Sequence, residues 1–142
     1  GGCGSALAPR PMTRRRAMRR YSPGMDVAAA TAALRVHVSV SRAAAAACKR
    51  LANLCIEEQN RQLATEAGAI EAIVAAMQAH PQVVSVQDFG CCALFNVCFG
   101  SDAAARARRQ RAVIAGATEA AVGAMQAHPG VSSCPEARTA FA

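Results

Sequence analysis

Apolar positions between Ala69 and Ala79 fall at Ile70, Ile73, Val74 and Met77. This i, i+3, i+4, i+7 spacing predicts a helix with one buried face. Gly68 precedes the stripe and suits a sharp turn, and His80-Pro81 ends it, because the residue before a proline is pushed out of the helical region. Cys91, Leu94, Val97 and Cys98 then share one side of a longer helix, about Val84 to Cys98. A shorter polar helix is predicted from about Glu57 to Thr65. Upstream, weaker patterns predict helices at about Val27–Val36, with Asp26 as its N-cap, and at Ser39–Cys55. β-branched residues never alternate over a useful length, so the pattern predicts an all-α chain.

The pattern repeats. AGAIEAIVAAMQAHP at Ala67–Pro81 returns as AGATEAAVGAMQAHP at Ala115–Pro129, with twelve of fifteen positions identical at an offset of 48. Leu51-Ala52-Asn53-Leu54-Cys55 aligns with Leu94-Phe95-Asn96-Val97-Cys98 at an offset of 43, which also relates His37 to His80 and Cys48 to Cys91. The unit is therefore about 43 residues, with five extra residues between Cys98 and Ala115, where DAAARARRQR sits. The Arg-rich insertion, with Arg106, Arg108, Arg109 and Arg111, either lengthens a helix or bulges as a loop. It reads as a solvated face or as a basic knob for acidic partners. A period of this length belongs to helical solenoids of the HEAT and armadillo kind.

The motif details resemble the armadillo repeat. Asn60, Ala64, Gly68, Ala69, Ile70, Ile73 and Val74 fit its first half, and Val86, Gln87, Ala93, Leu94, Asn96 and Val97 its second. The resemblance covers roughly Val27 to Ala142. It implies a right-handed α-solenoid of about 2.5 repeats, with units at about 26–55, 56–98 and 99–142, the last truncated. It also implies a concave groove lined by each third helix, in which Asn53 and Asn96 would bond the backbone of an extended peptide. An amide suits that task because it offers a donor and an acceptor; the alternative is that each asparagine satisfies local backbone groups. One turn earlier, where peptide-binding importin-type repeats carry Trp, this chain has Lys49 and Cys92, with Ala140 in the next equivalent slot. Without those aromatic walls a basic peptide loses its cation–π sandwich, and Lys49 with Arg50 favours acidic groups instead. Phe89, a further turn back, either adds an apolar contact or faces the core.

Composition adjusts this picture at one end. Thirty-six of the 142 residues are alanine, which favours helix but buries little area. The net charge of +7 is concentrated in residues 1–25, which hold six arginines and no acid. This segment, with Arg14, Arg15, Arg16, Arg19 and Arg20, reads as a disordered basic tail. A plain linker, an organelle transit segment and a basic arm for nucleic acid or anionic surfaces are all compatible with it. Nucleic acid enters the picture only through this tail. No apolar run approaches the ~18 residues of a membrane span.

The chemistry-bearing residues follow the repeat. His37, His80 and His128 occupy one slot in successive units, at a helix end. Packed helices hold such slots roughly 10 Å apart, so the three share no ligand. Cys48 and Cys91, like Cys55 and Cys98, are repeat equivalents, and buried Cys acts as a small hydrophobe. Seven cysteines without a Cys-x-x-Cys motif suggest thiols in a reducing, intracellular compartment, cytoplasmic or nuclear. Cys92 lies off the Cys91 face and is a candidate exposed, oxidisable thiol. Neither a phosphate loop nor a catalytic triad or carboxylate pair stands out, so no enzyme, cofactor or metal is expected.

The leading expectation is a non-enzymatic interaction scaffold that binds an extended peptide or partner surface on its concave face. The alternatives are a basic-tail binder of nucleic acid or anionic surfaces, and an adaptor fragment of a larger signalling protein. About three units are needed for a stable array, which predicts a fragment of a longer one or self-association through an uncapped end.

Overall fold

The computed structural model describes residues 23–130. Regular structure among them is entirely helical: α1 (Pro23–Val36), α2 (Ser41–Leu54), α3 (Glu58–Glu66), α4 (Ala69–Ala79), α5 (Val84–Val97), α6 (Ala103–Ala115) and α7 (Ala117–Ala127). None of these is long and apolar enough to cross a membrane. The Arg14–Arg20 tail lies outside the described residues, as do residues 131–142 with Ala140.

The helix ends follow from single residues. Gly68 precedes α4 at φ 85° and ψ 23°, and its repeat equivalent Gly116 precedes α7 at φ 95° and ψ 20°. Both lie in the left-handed region that a Cβ disfavours. His80 and His128, each followed by proline, leave the helical region at φ −130° and −138°. One expectation changes at α1. The helix already starts at Pro23, so Asp26 stands in its first turn and is not the N-cap. The fixed φ of proline suits a first helical position, and Asp26 instead meets Arg50 across 3.3 Å.

The most extensive helix pair is α2 against α5; α1 packs on α2 and α3, α4 on α5, and α6 and α7 join through α4 and α5. Leu34, Leu51, Ile70, Ile73, Met77, Val86, Leu94 and Val97 are fully buried. Each such side chain contributes about 1.5–3 kcal/mol by leaving water. Buried alanines (44, 45, 47, 52, 69, 72, 76, 93) let the helices approach closely. At Gly90, α5 lies close against α4: an added Cβ would stand 2.6 Å from Met77 Cγ.

Long side chains close the joints between units, at repeat-equivalent places. Asn60 Nδ2 donates to Leu54 O at 2.8 Å, and Arg108 Nε donates to Val97 O at 2.8 Å. Arg61 donates to Cys55 O and Ile56 O at 2.8 Å each, and Arg109 to Cys98 O at 3.2 Å and Gly100 O at 2.7 Å. These groups satisfy the carbonyls that the ends of α2 and α5 leave unpaired. The histidines join neighbouring units as well. His80 Nε2 lies 2.6 Å from Val38 O, and His128 Nε2 lies 3.0 Å from Pro81 O.

The Arg-rich insertion is helix. It makes α6 13 residues long against 9 in its equivalent α3, and Asp102 caps it by accepting from Ala105 N at 2.9 Å. It is neither a uniformly solvated face nor a free basic knob. Arg108 is only 5% exposed, Arg109 caps α5, and Arg111 pairs with Glu71 at 2.9 Å; Arg106 is exposed. An arginine can be buried here because three carbonyl or amide oxygens receive its donors, on Val97, Phe99 and Gln62.

Candidate functional site: the face built by α2 and α5

Helix α2 has the sequence SRAAAAACKRLANL, with three basic residues and no acid. Its alanines turn inward at positions 44, 45 and 47 with Cys48 and Leu51, which leaves Lys49, Arg50 and Asn53 exposed. A shallow groove of about 370 Å³ runs here, lined by Ala46, Lys49, Arg50, Asn53 and Leu54. Ala46 and Leu54 carry no chemistry of their own, so nothing in the sequence marked them.

The structure brings Lys49 and Phe89 together. Lys49 Nζ lies over the Phe89 ring, 5.7 Å from its centroid, a cation–π contact between α2 and α5. Phe89 is half-buried and packs against the core, so it is both a core residue and part of this face. Arg50 donates from Nη2 to Asp26 Oδ1 at 3.3 Å. Asp88 is half-buried on α5, and it is the acid that α5 carries.

The two asparagines are placed differently. Asn53 is exposed, and its amide has no partner among the described residues. Asn96 is half-buried; its Nδ2 donates to Ala52 O at 2.8 Å and lies 3.9 Å from Cys92 Sγ. Asn96 therefore ties α5 to α2 through a carbonyl 44 positions away, a bond between helices rather than to its own local backbone. Asn53 is the one whose amide stays on the surface. Cys92 is half-buried and packs against the core rather than standing exposed.

Burial pushes the thiols of Cys48, Cys55 and Cys98 up to about 12; the Arg61 and Arg108 charges near Cys55, and Arg108 and Arg109 near Cys98, offset this only in part. These thiols stay protonated at neutral pH and act as core residues. Among the described residues there is no group of three His, Cys, Asp or Glu side chains that could hold a metal ion. Comparison with family models, with curated proteins and with solved structures gives no match in any of the three.

Proposed function

We propose that this chain is an interaction scaffold of the armadillo type, a short helical solenoid whose α2–α5 face binds an extended, acidic segment of another protein. The observation that carries this reading is the exposed Asn53 amide beside Lys49 in a shallow groove. Asn53 holds the backbone of the segment, offering one donor and one acceptor to a peptide unit. Lys49 supplies positive charge at the surface, and its stem with Phe89 forms an apolar strip. The internal 43- and 48-residue offsets and the α2-on-α5 packing support the solenoid architecture. A disordered segment loses entropy when it lies along such a face, which keeps affinity moderate.

The test is selection from an array of extended peptides of varied charge by the full chain, with affinities measured by fluorescence anisotropy. Acidic peptides are expected to bind. Asn53→Ala should weaken them about tenfold, the factor for one net hydrogen bond; Lys49→Ala should weaken them comparably and flatten the salt dependence. Peptides bound equally by parent and both variants would place the contact elsewhere.

A further inference from the structure

A second, larger depression of about 790 Å³ lies between α1 and α2, lined among others by Asp26, Ala29, Ala33, His37, Ala43 and Arg50. Adding the repeat offset of 43 to these positions gives Ala69, Ala72, Ala76, His80, Val86 and Ala93. All of these are buried except His80, which is half-buried. In α1 and α2 the same positions are open: Ala29, Ala33, His37 and Arg50 are exposed and Ala43 is half-buried.

What covers the second set is the preceding unit. Ala72, Ala76 and His80 lie one helical turn apart, and His80 reaches Val38 O of that unit. Phe89, Ala93 and Asn96 form the matching stripe on α5, with Phe89 under Lys49 and Asn96 on Ala52 O. The trough between α1 and α2 thus repeats, position by position, a surface on which this fold stacks one helical unit upon another. The ring of His37, whose two equivalents both bond a neighbouring unit, has no partner among the described residues, while its backbone bonds Ala33 O and Val40 N.

The chain also carries the complementary surface. Val74 is 2% exposed, and its Cγ1 stands 3.8 Å from where a Cβ on Gly116 would be, so it seats the following unit. Its equivalent on α7 is Val122, which is half-buried. Pro81 O accepts from His128, and the equivalent of Pro81 is Pro129.

We propose that the α1–α2 trough seats the α7 end of a second copy of this chain. Val122 of the second copy lies against Ala29 and Ala33, and His37 Nε2–H donates to Pro129 O of that copy. The Asp26–Arg50 ion pair closes the rim, so no unpaired charge is buried. The contact is heterologous: each copy has one trough and one α7 end, so association proceeds head to tail rather than stopping at a two-fold dimer.

Sedimentation velocity on the full chain, from micromolar to near-millimolar concentration, tests this. The sedimentation coefficient is expected to rise with concentration. A trough-blocked variant, Ala29→Glu/Ala33→Glu, and an end-blocked variant, Val122→Glu, should each stay monomeric. Mixed together they should form a one-to-one complex and no larger species, since one keeps a working end and the other a working trough. His37→Ala, at an exposed site, should weaken association of the otherwise unchanged chain about tenfold. Circular dichroism confirms that all variants remain equally helical; were a blocked variant unfolded, His37→Ala alone would decide. A parent that is monomeric at every concentration, association indifferent to these variants, or a mixture that fails to pair would each overturn the proposal. So would protection of an Ala33→Cys thiol in a monomer, which would show the trough already covered by its own chain.

Discussion

Arg108 donates from Nε to the carbonyl of Val97 at 2.8 Å while only 5% exposed, and it thereby closes the end of α5. The residue at the equivalent place one unit earlier is Asn60, which makes the same bond to Leu54 O. Replacing Arg108 with Ala leaves the carbonyl of the buried Val97 without this donor and removes a packed stem, so urea unfolding should show a loss of about 2–3 kcal/mol. Arg108→Asn should recover about 1 kcal/mol of it by restoring the one bond that Asn60 makes. A change within about 0.5 kcal/mol for the Ala variant, the size of an ordinary surface substitution, would mean Arg108 is not a structural residue.

His80 and His128 act at the joints between units. Because a carbonyl only accepts, each ring must carry its proton on Nε2. His80→Ala should lower stability by about 1 kcal/mol. His128→Ala should cost less, since its bond is exposed and longer, 3.0 Å against 2.6 Å. Thermal unfolding of the two variants side by side checks the order.

Gly90 and Gly116 fail differently when a methyl is added. At Gly90 the Cβ meets Met77, at 2.6 Å from Cγ and 2.8 Å from Sδ, so Gly90→Ala forces a side chain to move and should cost about 1–3 kcal/mol. At Gly116 there is room, but φ is 95°, so Gly116→Ala should cost about 1 kcal/mol in backbone strain. Gly116→Asn should be milder, because asparagine tolerates the left-handed region. A Met77→Ala background should rescue Gly90→Ala and leave Gly116→Ala unchanged.

The buried thiols set an alkaline limit. Their folded values are raised to about 12 from a reference of 9.0. The unfolded chain therefore releases protons above pH 9 that the folded chain retains. Stability is fully present below pH 9 and falls as pH rises toward 12, by about 1.4 kcal/mol per pH unit for each thiol. Urea midpoints at pH 8 and pH 10 should differ sharply in the parent. The difference should shrink in Cys48→Ala/Cys55→Ala/Cys98→Ala. Native-state alkylation near neutral pH, read by peptide mass spectrometry, should modify Cys92 before these three.

Much of the helical layout was legible in the residues. The Ile70, Ile73, Val74, Met77 stripe with its Gly68 and Pro81 boundaries places α4 at Ala69–Ala79; α1, α2, α3 and α5 differ from the pattern only at their ends, whereas the pattern left α6 open between helix and loop. Period and turn chemistry are local properties, so a sequence displays them. The fate of the polar side chains was not local. Arg108 stands in a run that looks solvated, and its only cue was the 48-residue offset that sets it opposite Asn60. Asn53 and Asn96 are identical in their repeat context, yet only Asn96 has a preceding helix carbonyl, Ala52 O, within reach. The Lys49–Phe89 and Asp26–Arg50 pairs join residues 40 and 24 positions apart, and no spacing rule announces them.

The most direct measurement is an amide NMR titration of the full chain with an extended acidic peptide. Binding on the α2–α5 face predicts the largest shifts at Lys49, Arg50, Asn53 and Phe89, with Asn96 following, and their loss in Asn53→Ala/Lys49→Ala. Shifts confined to the outer face of α6, around Arg106 and Ile114, or no shifts at saturating peptide, would contradict the α2–α5 face as the binding surface.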